Sequence, residues 1–222
     1  MSETLPPREE LAQRLYAAVL SDVLDGMGLM RQALRPFVRP LDDGLVMLGR
    51  ARTGLYRNVY HVEPGANPYA VEMALIDSLR PGEVVVLACD GPTERIAPWG
   101  ELLTTASQVR GAAGCVTDGL VRDIRRIREM RFPVFHGGIG PLDSKGRGEM
   151  VAMDVPVEIA GVRVAPGDWI LGDADGVVAI PQAVADEVFR QALDKVMAED
   201  TTRDELAAGA SLAEVFARHG VL

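Results

Sequence analysis

The sequence predicts an α/β protein, a central sheet layered between helices as an α/β/α sandwich, on three observations. Segments of helical period alternate with short apolar runs along the chain. One run, EVVVLACD at 83–90, is β-branched and nearly all apolar, as a strand buried on both faces requires. A Pro-Gly pair stands just before it at Pro81-Gly82, and the same pair recurs at Pro166-Gly167 ahead of DWILGDADGVVAIP.

In chain order, Pro6 and Pro7 precede REELAQRLYAAVLSDVLDGMG, where Leu11, Leu15, Ala18 and Val19 fall at helical spacing. Ser21 and Asp22 are placed to cap a second short helix ending at Gly26 or Gly28. After 35–40, the run VMLGRARTGLYR alternates as a strand does. Helices are expected at about 68–79, 101–110 and 121–130, with CVTD and PVFH as short strands among them. VPVEIAGVRVAPG reads as a hairpin turning at Ala160-Gly161, and DWILGDADGVVAIP as two strands about Asp175-Gly176. From Pro181 the pattern is helical to about 208 and again over 212–218, with Val184, Val188, Leu193 and Val196 as a core or subunit-interface stripe. No repeat, low-complexity linker or strong boundary divides the 222 residues, so one domain is expected, with a helical tail from about 182 to 222.

Composition narrows the function. With 48% hydrophobic and 25% charged residues the chain is an ordinary globular one, and its formal net charge of −9 repels nucleic acid and anionic lipid. A small-molecule or protein partner is expected, and an anionic substrate would have to be drawn in by a local cation, which makes any arginine at a site diagnostic. The two cysteines, Cys89 and Cys115, sit in apolar runs without a partner at metal-ligand spacing and read as buried, inert thiols. His61, His136 and His219 are scattered and read as structural. No signal-peptide pattern and no apolar run of membrane-spanning length occurs, so the expected compartment is the cytoplasm.

The most informative stretch is PWGELLTTASQVRGAAGCVTDGLVRDIRRIREMRFPVF. Gly100 stands at the mouth of a helix, where the amides of Leu102 and Leu103 have no intrahelical acceptor and can receive a carboxylate or phosphate. A strand later, Asp118-Gly119 makes a turn and the next helix is expected to open with Val121, Arg122 and Asp123. Two helix N-termini would then meet at one end of the sheet, the usual ligand position in open α/β folds. Arg122 offers a bidentate carboxylate clamp beside Asp123, a hard oxygen ligand for a metal. Taken singly, each residue also has a plainer explanation: Glu101 and Asp123 complement a helix dipole, and Arg122 is a solvated charge. The glycine-rich loop GPLDSKGRGEM, with Asp143, Ser144, Lys145, Arg147 and Glu149, is equally a surface loop or a contact for the substrate's tail. Asn67 and Tyr69 could line the pocket, although helix capping accounts for the asparagine, and Trp99 could wall it.

The joint pattern, Glu101 followed after twenty residues by Arg122-Asp123, resembles the acidic-X20-Arg-Asp signature of the pyruvate-specific aldolases related to RraA. SDVLDGMG, LRPGEVVVLACDG, WGELLTTAS, GCVTDGLVRDI, FPVFHGG and PGDWILGDADGVVAIP also resemble that family, so the likeness covers most of the chain. The long tail MAEDTTRDELAAGASLAEVFARHGVL resembles its aldolase branch. The resemblance implies a swivelling-domain architecture, a trimer or pair of trimers, and a metal-dependent lyase that releases pyruvate from 4-hydroxy-2-oxo acids and from oxaloacetate. It implies that Asp123 ligates Mg²⁺ or Mn²⁺, and that Glu101, often Asp in the family, holds metal-bound water. It further implies that Arg122 contacts the pyruvyl group, and that Leu102 and Leu103 at the Gly100 turn receive its carboxylate. A tail glutamate from a neighbouring subunit is matched best by Glu199, with Asp200 adjacent. Mg²⁺ keeps several waters, which suits a site with one firm carboxylate. The rival expectation is a non-catalytic, protein-binding regulator of a ribonuclease, as RraA is named, for which the acidic surface would suit a basic partner.

Overall fold

The computed structural model describes residues 4–91 and 93–220. Its elements are α1 (Arg8–Arg14), α2 (Ala17–Gly26), β1 (Arg39–Pro40), β2 (Met47–Asn58), α3 (Ala70–Asp77), β3 (Glu83–Ala88), α4 (Glu101–Val109), β4 (Gly114–Thr117), β5 (Leu120–Val121), α5 (Ile124–Met130), β6 (Val134–His136), β7 (Gly138–Ile139), β8 (Gly148–Met153), β9 (Val157–Ile159), β10 (Val162–Val164), β11 (Trp169–Gly172), β12 (Val177–Ile180), α6 (Ala185–Ala207) and α7 (Leu212–His219).

Eight strands form one mixed sheet in the order β1-β6-β4-β3-β2-β11-β12, with β8 also on β2. The centre, β2-β3-β4-β6, is parallel, and the flanking pairs are antiparallel. Strand period sorts the side chains. Val84 and Val86 of β3 enter one apolar cluster with Met47, Val116 and Phe135, while Val85 and Leu87 enter another with Leu75, Ile76 and Ile127 of the helices α3 and α5. A third cluster joins α1, α2 and α6 to Leu48, Leu171 and Ile180. The predicted α/β class, with helices outside a central sheet, therefore holds. The layer on the inner face is the β9-β10 hairpin, whose Val157, Ile159, Val162 and Val164 fill the curl of the nearly closed sheet. It turns at Ala160-Gly161, both at positive φ (46° and 83°), the two-residue geometry that matches strand twist.

Three boundaries differ from expectation. The first break falls at Leu15 and Tyr16, both extended, and Ser21 and Asp22 lie within α2. Turning there lets Leu11 and Leu15 enter the same cluster as Val19, Leu20 and Leu24, whereas a cap at Ser21 would split that stripe. Next, Val121 is strand: it pairs with Ile139, and α5 begins only at Ile124 with Asp123 as its N-cap residue. Finally, residues 148–150, read as the end of a loop, open β8, which pairs with the second half of β2.

Cys89 and Cys115 are buried, and burial pushes both thiols well above their ordinary range. His136 is 8% exposed, its Nδ1 has no hydrogen-bond partner, and burial with the nearby Arg128 charge brings the imidazole down to about 4. Among the described residues no helix is long and apolar enough to cross a membrane.

Candidate active site

The parallel strands β3 and β4 end side by side at Ala88 and Thr117, and the loops leaving their carboxyl ends build the site, where open α/β sheets place ligands. Asp118, 1% exposed, anchors this rim. Its Oδ1 accepts from the Cys89 amide at 2.8 Å and its Oδ2 from the Ala160 amide at 3.3 Å. The two loops are then stitched together. The Leu120 amide donates to Ile96 at 3.1 Å, Trp99 bridges to Val121, and the Arg122 amide donates to Trp99 at 3.0 Å. Trp99 itself is fully buried and stacked on Phe132, which fixes the approach to α4.

This pairing sets Gly100 against Arg122 and Asp123. The first intrahelical bond of α4 runs from Thr104 N–H to Gly100 O at 3.1 Å, so the amides of Leu102 and Leu103 precede it, as the sequence predicts. The Glu101 amide is capped from the other loop, donating to Asp123 Oδ2 at 3.2 Å. Asp123 holds φ 59°, a left-handed conformation tolerated by Asp, and this turns its carboxylate toward α4. The Glu101 carboxylate leans back along its own helix and accepts from Thr105 Oγ1 at 3.1 Å. Glu101 and Asp123 share a shallow hollow with Leu102 and Ile124.

On the other side of Asp123 lies a cavity of about 300 Å³, walled by Gly100, Leu102, Leu103, Arg122 and Asp123 together with Tyr69, Glu72 and Asp143. Arg122 is half-buried. Among the described residues its guanidinium makes only two long ion pairs, 3.9 Å to Asp123 and 3.7 Å to Asp143, which leaves its N–H groups available to a ligand. Asp143 accepts from the Tyr69 hydroxyl at 2.6 Å. Burial raises the Asp143 carboxyl, but the Tyr69 hydroxyl, the Arg122 charge and backbone N–H groups outweigh it and hold the group below the usual range. Tyr69 is correspondingly pushed up to about 12 by burial and by its bond to Asp143.

Sequence reasoning missed Glu72. It is 8% exposed, lines the cavity and accepts from the buried Tyr56 hydroxyl; burial raises its carboxyl above the ordinary value. A glutamate at an inward position of α3 was the available signal. Glu199 is not brought to the site. It lies on α6 in a separate groove with Tyr16 and Leu212, where its carboxylate accepts from the Tyr16 hydroxyl beside Lys195. Asp200 pairs with Arg203 in solvent.

Among the described residues no three His, Cys, Asp or Glu cluster as metal ligands. The donor set at the rim, the Asp123 carboxylate with Glu101 across the same hollow, suits a hard cation that keeps most of its waters and not a closed cage.

A family model described as "RraA-like: Aldolase/RraA" matches residues 17–179. The chain is 35% identical to a protein of Halalkalibacterium halodurans named "Putative 4-hydroxy-4-methyl-2-oxoglutarate aldolase", over 83% of this chain and 81% of that one. Among solved structures, an uncharacterized protein from Pseudomonas syringae superposes with TM-score 0.80 at 26% identity, covering 96% of this chain and 99% of that one. Streptomyces coelicolor RraAS2, described as an unusual member of the RNase ES inhibitor RraA protein family, superposes with TM-score 0.77 at 29% identity, covering 90% and 99%.

Proposed function

Because the chain belongs to the RraA-like family, we propose that it is a divalent-metal-dependent carbon–carbon lyase acting on 2-oxo acids. It cleaves 4-hydroxy-2-oxo acids, the class that includes 4-hydroxy-4-methyl-2-oxoglutarate, to pyruvate, and it decarboxylates oxaloacetate at the same site. The observation that supports this reading is the convergence of the Leu102 and Leu103 amides, the Arg122 guanidinium and the Asp123 carboxylate on one cavity.

Breaking the bond next to a 2-oxo group leaves a pyruvate enolate, whose developing negative oxygen must be met by fixed positive charge. The amides at the start of α4 receive the substrate carboxylate and orient it. Arg122, permanently charged and with a guanidinium that makes no hydrogen bond among the described residues, faces the developing oxyanion. Asp123 and, through water, Glu101 would hold Mg²⁺ or Mn²⁺, which supplies Lewis-acid polarisation of the 2-oxo group. In the retro-aldol direction a water held at Glu101 takes the proton of the 4-hydroxyl; decarboxylation needs no such base. Glu199 stands on a different face from this cavity, so it can serve the reaction only from another copy of the chain, in a homo-oligomer such as a trimer or hexamer.

The likeness to RraAS2 favours a second reading, a protein-binding regulator of a ribonuclease. Pyruvate release from oxaloacetate and from a 4-hydroxy-2-oxo acid, assayed with chelator and with added Mg²⁺, tests the first against the second. Metal-dependent release is expected, and its absence with every substrate would leave the regulator.

A further inference from the structure

The charges around the cavity are unbalanced. Among the described residues Arg122 is the one cation lining it, against the carboxyl groups of Glu72, Asp123 and Asp143. Asp123 and Asp143 flank that single guanidinium at 3.9 and 3.7 Å, so its charge is already shared between two carboxylates. The rest of the polar wall is made by Tyr69, Asp143, Ser144 and the buried Glu72. Its polar atoms are largely acceptors: Tyr69 and Tyr56 spend their hydroxyl protons on Asp143 and Glu72. Lys145 and Arg147 belong to the same loop as Asp143 but are exposed and do not line the cavity.

A substrate that leaves its pyruvyl carboxylate at the α4 amides and Arg122 carries its remaining carbons toward this wall. A second carboxylate there would meet the carboxyl groups of Asp143 and Glu72, with no cation among the described lining residues beside them to offset it. A hydroxyl, by contrast, can donate to Asp143 or Glu72, a charge-assisted bond that satisfies both partners. We propose that this pocket selects 4-hydroxy-2-oxo acids whose tail is uncharged and bears hydroxyls, and rejects those ending in a second carboxylate. The proposal rests on the lyase reading above and narrows its substrate class, leaving out dicarboxylates such as 4-hydroxy-4-methyl-2-oxoglutarate. Oxaloacetate stands outside the contrast, because its second carboxylate is itself the group cleaved and leaves as CO₂, whereas that of 4-hydroxy-2-oxoglutarate stays on the departing aldehyde.

Two measurements on the full chain with Mg²⁺ test it. In the first, kcat/KM for pyruvate release is compared between 4,5-dihydroxy-2-oxopentanoate and 4-hydroxy-2-oxoglutarate. In the second, calorimetric titration compares binding of 2-oxopentanoate and 2-oxoglutarate, which differ in tail charge and undergo no cleavage. The expected result is at least a tenfold preference for the uncharged member of each pair, narrowing severalfold in Asp143→Asn and in Glu72→Gln. Equal or better use of the dicarboxylates, or a preference untouched by both variants, overturns the proposal. Selective binding without pyruvate from any substrate would sink the lyase reading while upholding the charge selection.

Discussion

Gly100 and Asp123 touch across the mouth of α4: a Cβ on residue 100 would lie 2.7 Å from Asp123 Oδ2 and 3.2 Å from Arg122 Cγ. Gly100 has φ −154°, extended backbone open to any residue, so the requirement for glycine there is steric. Gly100→Ala should therefore fold normally and displace both site side chains. A misplacement near 1 Å costs roughly a hundredfold in rate. The check is kcat/KM for pyruvate release beside an unchanged melting curve; wild-type activity would show that the contact does not hold the site.

Arg122→Lys should be a poor replacement, since an ammonium cannot reproduce the guanidinium fork. A loss of about a hundredfold or more in kcat/KM is expected, the size seen when an oxyanion donor is removed. Near-normal pyruvate release would make Arg122 a surface charge.

Chelator should abolish activity, and Mg²⁺ or Mn²⁺ should restore it. Asp123→Asn should weaken Mg²⁺ binding by calorimetry and lower turnover together, because it removes the carboxylate proposed to ligate the metal. Full activity in metal-free protein would exclude the metal-dependent mechanism.

His136 should make the fold acid-sensitive. Its imidazole sits at about 4 in the folded chain, below its ordinary value of 6.5, so the unfolded chain binds the extra proton. Its contribution is complete above the unfolded value and is lost as pH falls from 6.5 toward 4, at most about 3 kcal/mol. Glu72 and Asp118, both raised by burial, act with the opposite sign, losing their contribution as pH rises through their folded values. Comparing wild type with His136→Gln cancels those carboxyls. The variant's Tm should fall less between pH 7 and pH 4.5, and parallel curves would show that His136 does not titrate on unfolding.

The tail can be tested by mixing. If Glu199 serves a neighbour's site, Arg122→Ala and Glu199→Ala are each inactive, and co-refolding them in a closed ring restores roughly a quarter of the sites. A mixture that stays inactive, with mixed oligomers confirmed by size, would confine Glu199 to its own chain. There its bond with Tyr16 ties α6 to the start of α2.

The sequence made Gly100, Glu101, Arg122 and Asp123 legible because each sits beside a local signal: a helix mouth, a strand end, a fixed spacing. Glu72 had only its inward position on α3 to mark it, with no helix mouth, strand end or fixed spacing beside it. Its burial depends on a hydroxyl sixteen residues earlier on β2, and on a cavity closed by a loop seventy residues later. The glycine-rich 137–148 segment likewise hid β7 and the approach to β8, since glycines that admit close backbone contacts look like loop from composition alone. Gly137 is one: a Cβ there would lie 2.4 Å from the Asp118 carbonyl oxygen. The Leu15-Tyr16 break was unreadable because tertiary packing, with no capping side chain, decides it.

Cys89 and Cys115 are the only thiols in the chain, and they lie at the end of β3 and in β4, the centre of the sheet. With no surface thiol competing, alkylation of the native protein reports only the openings that part those two strands from their neighbours. The wild-type sequence thus carries its own probe of sub-global unfolding, read by mass without engineered residues. Ligand or metal bound at the loops leaving the same two strands should slow that labelling in proportion to its occupancy.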